Sequence, residues 1–343
     1  MEYVHCEFSK SQVDKAGAGL ARAPKAWSEN SDIEDAVNII NSYRSAHNWP
    51  LLLFRLVLTS RARKIDATST VAQRLKRLPA IESKLRRLSS MRLTQMEDIG
   101  GCRAVVRSVE MVRRISQLYE KSRTRHKRLP PVDYLVSPRN TGYRGIHLIY
   151  ACNSDRKPEF NGLKIEIQLR SRQQHAWATA VETVDAFTSK GLKDGSGDAG
   201  WQRFFALMSA YIASKERCNP VPNTPVVASQ LKSEILHYAN ELDVTQRLSS
   251  YRGMMQFKNP PEAYYYVIDF DIPAEEIRIY GYKKNRFEAA LAQNLSLEKE
   301  VVGNPKRDVV LVSVGSLQSL KRAYPNYFAD TDQFLAILNE AIA

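Results

Sequence analysis

The 343 residues are 43% hydrophobic and 25% charged, proportions that suit a globular chain with a sizeable core and length enough for two domains. No eighteen consecutive apolar residues occur, and "PLLLFRLVL" (50–58) is broken by Arg55, which suits a core helix and excludes a membrane span there. The net charge of +13 is concentrated in residues 60–128, where nineteen Lys and Arg stand against six Asp and Glu and account for the whole excess. Such a stretch fits a polyphosphate or nucleic-acid partner, because each neutralised phosphate releases a condensed counterion; for any single basic residue a solvated helix face explains as much. The opening "MEYVHCEFSK" has neither the basic start nor the apolar run of an export signal, so a cytoplasmic location is expected. Cys6, Cys102, Cys152 and Cys218 stand singly, with no metal-ligand spacing, and read as reduced thiols.

In chain order, residues 31–47 predict a helix with Ser31 as N-cap and Ile33, Val37, Ile40 and Tyr43 at helical spacing. A second helix is expected over 51–64. "VAQRLKRLPAIESKLRRL" (71–88) continues as a third, kinked or divided at Pro79. "GCRAVVRS" (101–108), "GIHLIYAC" (145–152) and "LKIEIQLR" (163–170) predict strands, with a basic amphipathic helix over 110–123 between the first two. Ser171 and Gln174 form a capping-box pattern at the start of the next helix. A loop over 189–200, an apolar helix from Trp201, a proline-rich linker over 218–225 and a long helical stretch to about 256 follow. Strands over 263–272 and 276–282, a helix, a strand over 307–315 and a terminal helix capped by Asp330 then suggest a small module of their own. The organisation predicted is an N-terminal helical region (1–59), a central domain (60–217), a linker with connecting helices (218–256) and a C-terminal module (257–343). The fold class is α/β (α+β), with a mixed sheet flanked by helices.

Period-2 geometry puts Glu166, Gln168 and Arg170 on one face of their strand and Ile165, Ile167 and Leu169 on the other. A half-exposed edge explains that pattern as well as a site does. Asp98 precedes two glycines and a strand, where a carboxylate can project from the sheet end; an Asx turn is the alternative. An aspartate and a glutamate from separate strands are a usual way to hold Mg²⁺, which leaves its other positions to water and phosphate oxygens. In "NTGYRGIH" (140–147), Gly142 and Gly145 bracket Tyr143, suited to stacking on a base, and Arg144, suited to a phosphate. His175, beside Trp177, reads better as a packed histidine than as a general base.

"RLKRLPAIESKL", "DIGGCRAVV", "TGYRGIHLIY" and "EIQLRSRQQHAWA" occur in the order found in the RelA/SpoT nucleotide pyrophosphokinase domain, which residues 60–215 resemble. The resemblance implies a mixed sheet of about five strands and transfer of the β,γ-pyrophosphate of ATP to a ribose 3′-hydroxyl. It implies catalytic and magnesium-binding roles for Asp98 and Glu166, adenine contacts for Arg74 and Arg103, and phosphate contacts for Lys76 and Lys84. Tyr143 matches the acceptor-stacking tyrosine, and His147, Gln168 and Arg170 match polar residues lining the site. Arg139 and Gly145 depart from the family's common lysine and serine, which bears on the acceptor. No His-Asp dyad is present, so the family's hydrolase domain is not expected in this chain.

"KRAYPNYFAD" (321–330) places Tyr324 and Tyr327 around Pro325, on a turn from which the rings can reach outward or pack in the module's core. A catalytic domain followed by a cysteine-free module with this motif is similar to the fused, CapRel-type toxic branch of the family. That similarity implies a self-inhibited toxin in anti-phage defence, in which the two tyrosines occlude the ATP site and a phage protein relieves them. The acceptor it implies is the 3′-CCA end of tRNA. A small alarmone synthetase acting on GDP or GTP, and a non-catalytic RNA-binding regulator, are the alternatives.

Overall fold

The computed structural model describes residues 4–23, 31–188, 198–254, 256–257, 263–301, 307–313, 317–328 and 330–343. Most of the loop expected over 189–200 lies outside them. The first half of the chain forms α1 (Lys10–Arg22), α2 (Ser31–Ala46), α3 (Asn48–Ile65), β1 (Thr70–Leu75), α4 (Leu78–Arg87), β2 (Gly100–Val106), α5 (Val109–Glu120), β3 (Lys127–Arg128), β4 (Val132–Asp133), β5 (Ile146–Ala151) and β6 (Lys164–Ser171). The second half forms α6 (Arg172–Thr188), α7 (Ala199–Lys215), α8 (Ala228–Glu241), α9 (Val244–Met254), β7 (Gln256–Phe257), β8 (Tyr265–Asp271), β9 (Glu276–Tyr282), α10 (Phe287–Glu300), β10 (Arg307–Ser313), α11 (Leu317–Ala323), a 3-10 turn (Pro325–Phe328) and α12 (Asp332–Ile342).

Three local expectations change. Residues 71–75 are not helical: they form β1, and Pro79 sits in the first turn of the separate helix α4, where its missing N–H costs nothing. Thr331, not Asp330, occupies the N-cap position of α12. The helical stretch after the linker is two helices, parted where Asp243 takes a φ of 47°. The Ser171–Gln174 capping box forms as expected, with reciprocal 3.1 Å bonds.

The α+β class holds, but among the described residues the sheet has ten strands rather than about five, in the order β3-β5-β6-β2-β1-β10-β8-β9-β7, with β4 also on β5. The C-terminal strands join it through β10, which pairs antiparallel to β1 at Gln73–Ser313 and Arg74–Val312. One face of the central strands is apolar: Cys102, Ala104, Ile146, Leu148, Ile165, Ile167 and Leu169 pack under α3 and α5. The opposite face is polar over β5, β6, β2 and the end of β1. It becomes apolar over β10 and β8, where Val310, Val312, Tyr266, Ile268 and Phe270 meet α11 and the 3-10 turn. α6 lies on this second face, and α12 returns to pack Phe334, Ile337 and Leu338 against α6, α7 and α8. Among the described residues, no helix is long and apolar enough to cross a membrane.

Candidate active site

Strand register gathers the polar face. Arg74 lies opposite Gly101, Gly101 beside Glu166, Arg103 beside Gln168, and His147 opposite Gln168. Adjacent residues in register share a face, so side chains distant in sequence line one trough. Gly101 has open space where a Cβ would stand, keeping the middle of the trough clear.

At one end the side chains form a continuous hydrogen-bonded row. His147 Nδ1 lies 2.8 Å from Glu166 Oε1, and Gln168 donates to Glu166 Oε2 at 2.6 Å. Arg170 Nη2 donates to Gln168 Oε1 at 3.2 Å and to the Tyr143 hydroxyl at 3.1 Å, and that hydroxyl is 2.5 Å from His147 Nε2. Burial alone would disfavour the His147 imidazolium, but Tyr143 and Glu166 outweigh it and raise the pKa to about 9. Burial likewise opposes ionisation of Glu166, yet His147, with help from Gln168, holds its carboxyl below the usual range. Glu166 is therefore an ionised acceptor at neutral pH. Tyr134, which nothing in its local sequence singled out, packs edge-on against both Tyr143 and His147 at 5.3 and 5.2 Å.

At the other end Asp98 receives Lys76 Nζ at 2.8 Å and Lys84 Nζ at 2.9 Å. Burial would raise its pKa, but the two ammonium groups prevail and hold it at about 2. The resemblance implies phosphate contacts for these lysines; in the structure both ammonium groups pair with Asp98. Asp98 and Glu166 line one cavity. Among the described residues no group of three or more His, Cys, Asp or Glu could hold a metal. Two carboxylates with hard oxygen donors fit an ion that takes its remaining ligands from phosphate and water, as Mg²⁺ does.

That cavity is also lined by Ala72, Arg74, Lys76, Arg103, Gln168 and Tyr324, and its volume is about 60 Å³. Sites for drug-sized ligands occupy roughly 300–1,000 Å³, so the space is too small for ATP. Tyr324, from the C-terminal part of the chain, closes it. Its hydroxyl donates to the Gln73 carbonyl at 2.9 Å, its ring centroid lies 5.4 Å from the Arg103 guanidinium carbon, and Arg103 donates to the Ala323 carbonyl. Burial, reinforced by Arg170, lowers the Arg103 pKa to about 10. Tyr327 lies behind Tyr324 against Phe270, 3.4 Å from Asp308. Neither ring reaches outward, at 3% and 5% exposure. Core packing and contact with the trough are one arrangement here.

Arg144, expected at a phosphate, is buried and bonded within the protein, with Nη1 3.0 Å from Glu216 and Nε donating to Ser209 Oγ at 3.1 Å. Ser209 Oγ in turn donates to the Gly142 carbonyl at 2.5 Å, and Gln174 donates to Glu216 at 2.9 Å. Arg144 thus anchors the loop that presents Tyr143. The flanking glycines are required by geometry: at Gly142 (φ 90°) a Cβ would meet Ser209 Cβ at 2.9 Å, and at Gly145 (φ 152°) it would meet the Leu169 carbonyl at 3.1 Å. His175 is buried, 3.4 Å from the Arg322 carbonyl, and burial with Arg103 and Arg170 nearby holds it neutral. The basic stretch divides across the sheet: Arg74, Lys76, Lys84 and Arg103 serve the trough, whereas Arg63, Lys64, Arg113 and Arg114 are exposed on the helices of the opposite layer.

Residues 73–186 match the region found in RelA / SpoT proteins. That stretch contains Asp98, Glu166, Tyr143 and the basic trough residues, and the match supports an ATP-dependent pyrophosphotransferase. The small alarmone synthetase 1 from Bacillus subtilis is similar at 20% identity and a TM-score of 0.40, over 50% of this chain and 89% of its own. A GTP pyrophosphokinase family protein from Streptococcus pneumoniae is similar at 18% identity and 0.43, over 55% and 91%. The small alarmone synthetase 2 from Bacillus subtilis is similar at 16% identity and 0.41, over 54% and 96%. Among curated proteins none matches this chain.

Proposed function

We propose that this chain transfers the β,γ-pyrophosphate of ATP to the ribose 3′-hydroxyl at the CCA end of tRNA, and that its C-terminal part holds it inactive. The observation that carries the reading is Tyr324, which shares one small cavity with Asp98, Glu166, Arg74 and Arg103. With that ring withdrawn, Arg74 and Arg103 would flank the adenine, and Lys76 and Lys84 would turn from Asp98 towards the phosphates. Magnesium held by Asp98 and Glu166 would neutralise charge on the donor phosphates. The 3′-oxygen attacks the β-phosphorus, the bond to the α-phosphate oxygen breaks, AMP leaves, and the ionised Glu166 receives the hydroxyl proton. Tyr143, steadied by His147 and Arg170, would stack on the acceptor base.

In this reading the protein is a cytoplasmic toxin of anti-phage defence, and a phage protein binding the C-terminal part withdraws Tyr324. On the acceptor side, exposed Arg139 lies against Tyr134 in the loop that presents Tyr143 and is suited to a nucleic-acid phosphate. Incubating Tyr324→Ala protein with γ-labelled ATP and either bulk tRNA or GDP and GTP tests the acceptor. Label on tRNA supports the proposal; label confined to guanosine nucleotides makes the chain an alarmone synthetase. With neither labelled, a non-catalytic RNA-binding role replaces both.

A further inference from the structure

We infer that Glu298 is a positioning residue for the ATP trough, so that the C-terminal part of the chain completes the site that it also blocks. The inference rests on the proposed ATP site. Arg44 of α2 and Glu298 of α10 form a buried bidentate pair, with Nη1–Oε2 at 2.7 Å, Nη2–Oε1 at 2.9 Å and each side chain 3% exposed. Leu75, Leu291, Leu295 and Val310 wall it. Arg44 has two further bonds: Nη1 donates to Asn41 at 2.7 Å, and Nε donates to the backbone carbonyl of Lys76 at 2.9 Å.

Lys76 is the corner between β1 and α4, and it is fixed at three points. Its N–H donates to the Ile99 carbonyl at 2.8 Å, its carbonyl accepts from Arg44, and its ammonium meets Asp98. The next residue, Arg77, pairs with Asp308 of β10. The corner that sets Lys76 against Asp98 is therefore gripped twice by the C-terminal part, through Glu298 and Asp308. Without Glu298, a desolvated guanidinium is left without its counter-charge. Arg44 must then swing or admit water, and either movement releases the Lys76 carbonyl.

The consequence separates two operations that otherwise look equivalent. Withdrawing Tyr324 opens the trough with its corner intact, whereas removing Glu298 loosens the corner. The test measures binding of a non-hydrolysable ATP analogue, with KM for ATP and kcat, in full-length Tyr324→Ala, Tyr324→Ala/Glu298→Gln and Tyr324→Ala/Arg44→Lys proteins. Arg44→Lys keeps a cation for Glu298 but loses the fixed fork that also reaches Lys76. Both double variants are expected to bind the analogue about 10-fold or more weakly than Tyr324→Ala, with KM rising more than kcat falls. Equal or tighter binding in the double variants would make the pair a mere clasp and overturn the inference. If Glu298→Gln does not fold, Arg44→Lys decides alone. If folded Tyr324→Ala itself binds no analogue, the ATP site fails, whatever Glu298 does.

Discussion

Replacing Tyr324 should activate the protein in graded steps, because its contacts can be removed separately. Phenylalanine removes only the hydroxyl bond to Gln73, a net contribution of about 0.5–1.5 kcal/mol, so the open fraction should rise about 2- to 12-fold. Alanine also removes a ring that is 97% buried, being 3% exposed. Truncating a core aromatic costs about 3–5 kcal/mol, which shifts the equilibrium by two orders of magnitude or more, up to full opening. Opening also returns water to Arg103, whose charge the closed state disfavours. The assay is the initial rate of AMP release at sub-saturating ATP, where the apparent ATP affinity scales with the open fraction. Equal rates in the wild type, Tyr324→Phe and Tyr324→Ala proteins would mean that Tyr324 does not close the trough, as would a larger effect from phenylalanine than from alanine.

The other predictions concern the acceptor side of the trough. His147 is raised from 6.5 to about 9 by its anionic surroundings, so its stabilisation is complete below pH 6.5 and lost as pH rises through 9. The shift corresponds to at most about 3 kcal/mol. Melting temperatures from pH 6.5 to 9.5 should fall more steeply for the wild type than for His147→Gln, and parallel curves would contradict the assignment. Ser209→Ala removes the link from Arg144 to the Gly142 carbonyl. It should raise KM for the acceptor severalfold with KM for ATP unchanged, and an equal rise in both would return Ser209 to general packing.

The parts of the site that were legible share a physical reason. The alternation over 165–170 fixes which side chains share a face whatever the strand pairs with, and Glu166, Gln168 and Arg170 do line the trough. Asp98, at a glycine-marked strand start, was readable on similar local grounds. Residues 71–75 read as helix because Val71, Ala72, Leu75 and Leu78 also fit helical spacing, and the strand state of β1 comes from pairing with β2 and β10. Arg144 reads as a phosphate contact from its loop alone because its partner, Glu216, lies 72 residues further along the chain. The merger of the C-terminal strands into the same sheet was equally hidden, since local sequence marks a strand but not the edge it will meet. The motif around Pro325 marks Tyr324, but its contact with Gln73 and Arg103 follows from that merger.

Transfer of two phosphates together is distinguished from transfer of one by the nucleotide left behind. Tyr324→Ala protein given ATP labelled at the β- and γ-positions with bulk tRNA should release AMP and place both labels on tRNA in equal amount. Release of ADP with only the γ-label transferred, or no transfer at all from folded protein, would contradict the account.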